Sequence, residues 1–112
     1  MHEMSVAMSI LDIADEQARA AGARVINRVE LDLGGLAGIE VESLRFCFTA
    51  ARRGMAAEAE LVINEIPGRA RCAQCGTECM LEMPMALCPE CGGLALEILQ
   101  GRELRVRSLN VD

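Results

Sequence analysis

Two cysteine pairs, Cys72-x2-Cys75 and Cys88-x2-Cys91, with twelve residues between them, constrain this chain more than any other feature. Each CxxC turn lets both of its sulfurs face one point, and two such turns complete a tetrahedral four-thiolate shell with bonds of about 2.3 Å to a zinc ion. Gly76 after the first pair and Gly92-Gly93 after the second allow a turn without a Cβ clash, and Pro89 stiffens the second turn. A segment of this size cannot build a core of its own, so the expectation is a structural zinc held by Cys72, Cys75, Cys88 and Cys91. Four cysteines close the shell and leave no position for a substrate, which argues against catalytic zinc.

Two further cysteines fall outside this pattern. Cys79 lies four residues past Cys75, where it can be a substitute ligand, although a spare, solvent-facing thiol is the preferred reading. Cys47 sits in a helical pattern between Phe46 and Phe48 and reads as a small buried hydrophobe. Neither makes a convincing nucleophile, because the only histidine available as a base is His2 at the chain end. No phosphate-binding glycine loop and no triad is present, and a non-enzyme is expected.

At 112 residues the chain allows one modest core with a small appended module. Its net charge is -6, and all 11 basic residues are Arg. Nucleic acid and anionic membrane surfaces both require clustered positive charge, so neither is expected as a partner. Phe46 and Phe48 are the only aromatics, which leaves no stacking platform for single-stranded bases. Apolar runs fall far short of a membrane span, and no Arg or Lys precedes Arg19, so the start lacks the charge of a secretory signal. The expected location is the cytoplasm, where thiols stay reduced.

Hydrophobic periodicity organises the rest. Met4, Met8, Leu11, Ala14, Ala18 and Ala21 recur at three- and four-residue steps and predict an amphipathic helix stopped by Gly22. Val29, Leu31 and Leu33 alternate with polar residues as a half-buried strand ended by Gly34-Gly35. A second helix is expected from about Val41 to Arg53, with Val41, Leu44, Phe48 and Ala51 on one face. Strands follow over Glu58 to Ile66, Leu96 to Leu99 and Leu104 to Val111, the last with a bulge or break near Ser108, where its apolar phase changes. The expected fold is α+β: two helices on a small, mostly antiparallel sheet, with an inserted four-cysteine, zinc-ribbon-like module. In domain terms, residues 1–68 plus 100–112 form the α+β domain and residues 69–99 the zinc module.

The amino terminus carries a second metal-binding possibility. A bulky second residue blocks removal of the initiator methionine, leaving a free amine on Met1. That amine, the backbone nitrogen of His2 and the imidazole Nδ1 can chelate one metal in five- and six-membered rings, a nitrogen set suited to square-planar Ni(II) or Cu(II). Amides at a helix start have no carbonyl partner within the helix, so they can lose a proton without breaking its ladder. Glu3 is a favourable acid at a helix start as well as a candidate ligand or supporting group. The fourth donor stays open between the Glu3 amide or carboxylate and a group from the loop Gly38 to Glu42.

Three separated motifs then stand in order: Met1-His2-Glu3-Met4-Ser5, the stretch from Leu36 through Glu40-Val41-Glu42 to Phe48, and Cys72-x2-Cys75-x12-Cys88-Pro89-Glu90-Cys91-Gly92. Together they resemble the HypA/HybF family of nickel metallochaperones, over essentially the whole chain. The resemblance implies a cytoplasmic non-enzyme that carries Ni(II) on Met1, His2 and Glu3 and keeps a structural Zn(II) on the four cysteines. It also implies work with a HypB-type GTPase and delivery to the NiFe-hydrogenase large-subunit precursor, with some relatives serving urease maturation. Cys79 has no match in that pattern. From a different class, a zinc-ribbon module that docks to a protein and transports no metal is the competing reading, and the terminus discriminates between the two.

Overall fold

The computed structural model describes residues 2–84 and 86–112. These form two compact units. The first comprises the residues up to Asp32 with Ile39–Asn64 and Arg105–Asp112, and the second Leu33–Gly38 with Glu65–Leu104.

Helix α1 (Glu3–Ala20) and helix α2 (Val41–Ala51) pack against each other in the first unit. The buried face of α1 is Val6, Ala7, Ile10, Leu11, Ala14 and Ala18, while Met4 and Met8 are 42% and 47% exposed. This face is rotated from the one expected from periodicity. Ala7, Ala14 and Ala18 are small enough to let a neighbouring helix approach closely, and the helix packed on α1 is α2, whose buried residues are Leu44 and Phe48. Helix α2 starts at a cap in which the Glu40 carboxylate accepts from the N–H of Glu42 at 3.2 Å and of Ser43 at 2.6 Å, satisfying two donors without helical partners. It ends at Ala51, two residues before the expected stop, because Arg52 is already extended and a short 3-10 turn follows at Gly54–Ala56.

Strand β1 (Ile26–Gly34) lies between β2 (Glu60–Ile66) and β6 (Leu104–Val111) in a three-stranded sheet. Val25 and Asp112 exchange backbone hydrogen bonds, and the Gly34 N–H donates to the Glu103 carbonyl, so β6 runs antiparallel to β1. Asn64 instead lies beside Asp32 while the Gly35 N–H reaches the Ile66 carbonyl, and β2 rises with β1. Strand β6 is unbroken through Ser108, with the phase change accommodated between half-buried Val106 and half-buried Leu109 and Val111.

Ile26, Val29, Leu31 and Leu33 of β1 are buried. Asp32 is the one buried charged side chain among the described residues. Its carboxylate accepts from Asn64 Nδ2 at 3.1 Å and Arg105 Nε at 2.9 Å, with Arg107 Nη1 at 3.5 Å, so the burial is matched by partners.

The second unit contains a sheet that the sequence reading did not separate from the cysteine turns. Strand β3 (Gly68–Cys72) lies between β4 (Glu78–Leu81) and β5 (Leu96–Gln100), antiparallel to both. Ala70 stands opposite Cys79 on one side and Ile98 on the other. Leu36, Ala70 and Leu81 form a small core, on which Cys79, Ala86, Leu96 and Ile98 pack. Cys79 is therefore a half-buried core contributor rather than the expected solvent-facing thiol, because the two-residue period of β4 turns it inward with Leu81. Cys47 is only half-buried on α2, whereas Phe48 beside it is fully buried and Phe46 is 73% exposed.

Candidate metal centre

The two cysteine turns are built alike. In the first, the Gly76 N–H donates to the Cys72 carbonyl at 2.8 Å; in the second, the Gly92 N–H donates to the Cys88 carbonyl at 2.8 Å. Both glycines have positive φ, 76° and 71°, a conformation that L-residues rarely adopt. That reversal brings the next N–H back to the sulfur of the second cysteine: Thr77 to Cys75, and Gly93 to Cys91. Strand β3 delivers Cys72 from its last residue, and the Cys72 N–H is fixed by the Thr77 carbonyl at 2.9 Å.

These turns bring Cys72, Cys75, Cys88 and Cys91 together with all four sulfurs within 4.8 Å of one another. The Cys72–Cys91 and Cys75–Cys88 sulfur pairs are each 3.6 Å apart. A tetrahedral shell with zinc–sulfur bonds of about 2.3 Å has sulfur–sulfur edges of about 3.8 Å, so the arrangement fits a zinc ion with shifts of tenths of an ångström. Cys79 is not part of this group.

The four thiols are inequivalent. Cys72 and Cys88 are buried and Cys75 and Cys91 exposed. Hydrogen bonds with the Thr77 hydroxyl, 3.3 Å away, and with the Thr77 backbone N–H pull the Cys75 thiol down to about 6. The Gly93 N–H favours the Cys91 thiolate, but its contacts with the Cys72, Cys88 and Cys75 sulfurs, together with burial, outweigh that and push the thiol up to about 12. Four thiolates this close repel one another, and a divalent cation at their centre removes the opposition. Gln74 and Thr77, which the sequence reading passed over, both touch the cluster; their position inside or just after a CxxC turn was the available signal.

At the other end of the chain, Met1 lies outside the described residues. His2 is exposed and caps α1 without a side-chain hydrogen bond. The first intrahelical bond runs from the Val6 N–H to the His2 carbonyl, which leaves the earlier amides without helical acceptors. Glu3 is half-buried, and its Oε2 accepts from the Glu40 N–H at 3.2 Å. That bond, and one from its own backbone N–H, hold the Glu3 carboxyl below the usual range. The α1 start therefore meets the residue that caps α2, a juxtaposition across 37 positions of sequence.

A two-helix α+β unit joined to an antiparallel sheet that presents four converging thiols defines a small metal-binding protein. A family model described as "HypA: Hydrogenase/urease nickel incorporation, metallochaperone, hypA" matches residues 1–111, and the chain belongs to this family of hydrogenase maturation factors. Among its relatives, hydrogenase maturation factor HypA of Chlorobium luteolum is 51% identical over 100% of this chain and 97% of its own. The corresponding factor of Azotobacter chroococcum is 47% identical over the whole of both chains. The solution structure of the Ni metallochaperone HypA from Helicobacter pylori superposes with a TM-score of 0.67 at 26% identity, over 99% of this chain and 97% of that one. Among the described residues, no helix is long and apolar enough to cross a membrane.

Proposed function

We propose that this chain is a cytoplasmic nickel carrier rather than an enzyme, binding Ni(II) through Met1, His2 and Glu3 and delivering it to the NiFe-hydrogenase large-subunit precursor. The observation that carries the reading is the family match over residues 1–111, whose description is nickel incorporation. The local chemistry agrees: an exposed His2 stands at a helix start whose first amides lack helical acceptors. The Met1 amine, the His2 backbone nitrogen and the His2 imidazole form the chelate, with Glu3 as ligand or support. A planar site with few ligands is open on both faces, so an incoming thiolate can take the metal through a shared intermediate. A HypB-type GTPase is the proposed working partner, and urease maturation is a second destination consistent with the family description.

Zn(II) is assigned to Cys72, Cys75, Cys88 and Cys91, where a closed thiolate shell retains its ion and supports the fold. The two metals thus have different fates, one resident and one cargo.

Metal content measured by mass spectrometry after nickel addition and desalting tests the assignment on untagged protein beside its His2→Ala variant. One zinc in both, with nickel kept only by the unmutated chain, is the expected result. Nickel retained equally by both, or nickel displacing zinc, refutes a terminal site and favours a zinc-ribbon docking module. Because the amine and the amides must lose protons to bind, nickel affinity should also fall steeply from pH 8 to pH 6; equal affinities would contradict this donor set.

A further inference from the structure

The cysteine centre is unevenly exposed to water. Cys72 and Cys88 are protected by burial, at 0% and 2% exposure, whereas Cys75 and Cys91 face solvent. Each exposed sulfur has one polar side chain against it. Thr77 Oγ1 lies 3.3 Å from Cys75 Sγ, and Gln74 Oε1 lies 3.8 Å from Cys91 Sγ. The Gln74 contact is the more telling, because it crosses from the first cysteine turn to the second, 17 residues away. It is also built for closeness: a Cβ at Gly93 would sit 2.2 Å from Gln74 Oε1, so the amide occupies the space that this glycine leaves.

Resting on the assignment of zinc to this centre, we infer that Gln74 and Thr77 are positioning residues that shield the two solvent-facing thiolates by hydrogen bonding. A thiolate accepts but cannot donate. The Thr77 hydroxyl donates as readily as it accepts, and the Gln74 amide, turned about its last bond, presents its NH2 group at the same reach. A hydrogen bond draws charge from sulfur and lowers its reactivity toward electrophiles, and the same donor orients the ligand. All four sulfurs are then protected, two by packing and two by these side chains. Zinc stays in place although half of its shell is open to water.

The test is residue-resolved alkylation of the zinc-loaded full chain with iodoacetamide, following the first modification at each cysteine by peptide mass spectrometry. Thr77→Val keeps the shape of the side chain and should raise the rate at Cys75 about 10-fold, with Thr77→Ser restoring it. Gln74→Met should do the same at Cys91, and its exposed position makes misfolding a poor explanation of the result. Cys72 and Cys88 should keep their rates in both variants. Unchanged rates at Cys75 and Cys91, or equal acceleration at all four cysteines, would overturn the inference, the second by showing a general loosening. Zinc content of the unmutated chain separates the two levels: a chain without zinc overturns the metal assignment and this inference together, and zinc with unaltered rates overturns the inference alone.

Discussion

Adding one methyl group at Gly34 should disrupt the second unit, while the same change at Gly35 should not. A Cβ on Gly34 would lie 2.0 Å from the Gly101 carbonyl oxygen, 2.1 Å from its carbon and 2.6 Å from the Arg102 nitrogen, all of them backbone atoms. Relief to an ordinary contact needs an opening of about 1.4 Å. Two hydrogen bonds span that approach, Leu36 N–H to the Gly101 carbonyl and Gly34 N–H to the Glu103 carbonyl, each 2.7 Å. Stretched by that much, both pass the limit of a hydrogen bond. Losing them costs about 0.5–1.5 kcal/mol each, and the residual overpacking about 1–3 kcal/mol, for roughly 2–6 kcal/mol in all.

Domains hold roughly 0.05–0.15 kcal/mol of stability per residue, so a penalty of this size matches everything that a unit of a few dozen residues has. A Cβ on Gly35 meets only the Ile66 oxygen at 3.7 Å and the Gly68 nitrogen at 3.9 Å, which is ordinary contact. Gly35→Ala should therefore be neutral, or more stable by up to about 1 kcal/mol through the lost freedom of the unfolded chain. Because a chain of two units need not unfold in one step, amide hydrogen exchange by peptide is the assay. In Gly34→Ala, peptides covering β3 and β5 should exchange between about 30-fold and 10^4-fold faster than in Gly35→Ala, since each 1.4 kcal/mol is tenfold. Rates for the two variants within twofold of each other would refute the steric argument.

Other perturbations separate neighbouring residues in the same way. Phe48→Ala should cost about 3–5 kcal/mol in denaturant unfolding and Phe46→Ala less than about 0.5 kcal/mol, because only Phe48 is buried. Glu40→Ala removes the side-chain acceptor at the start of α2 and should lower stability by about 0.5–2 kcal/mol, with faster exchange at the Glu42 and Ser43 amides. Asp32 is held below the usual aspartate range by the Asn64 amide first and then by Arg105 and Arg107, against the opposing effect of burial. Its folded value thus lies below its unfolded one: its stabilisation is complete above about pH 5 and fades as pH falls through 4 and below. Asp32→Asn should accordingly be less stable at pH 7 and flatter in its acid unfolding profile. Removing metal with a chelator should abolish exchange protection in β3 and β5 but leave α1 protected, with metal release easier at lower pH because thiols must be deprotonated to bind.

What was legible in the sequence depended on whether the signal was local. The convergence of the four cysteines follows from their spacing and the turn glycines, and the helices and outer strands of the first unit are recognisable from periodicity, although α2 stops two residues early and β1 begins three residues before Val29. The buried face of α1 followed only in part: Leu11, Ala14 and Ala18 lie on it as expected, but Val6, Ala7 and Ile10 take the places assigned to Met4 and Met8, because two overlapping three- and four-residue patterns run along this helix and packing against a neighbour decides between them. Strands β3 and β4 were missed for a related reason. Their inward positions are Ala70, Cys72, Cys79 and Leu81, which show little hydrophobic alternation, so a cysteine that packs looked like a spare thiol. The contact between Glu3 and Glu40 joins residues distant in sequence; the loop Gly38 to Glu42 was already a candidate neighbour of the terminus, but a glutamate is an unusual cap, so this residue did not stand out within it.

The size of the second core bears on the structural metal proposed for its four cysteines. Among the described residues, Leu36, Ala70 and Leu81 are its buried members, with partly buried Cys79, Ala86, Leu96 and Ile98 packed against them. Two buried leucines supply only roughly 3–6 kcal/mol, far less than the backbone entropy lost in ordering the unit. A structural zinc ion bound only by the folded state would add its binding free energy to that state, which is how a core this small can be held together. Exchange at this centre would thus compete with the folding of the unit that holds it, and a cargo metal needs a site whose emptying costs the fold little. The start of α1, the site proposed above for the cargo, would meet that requirement, since its first amides lie outside the helical ladder and its buried residues begin at Val6.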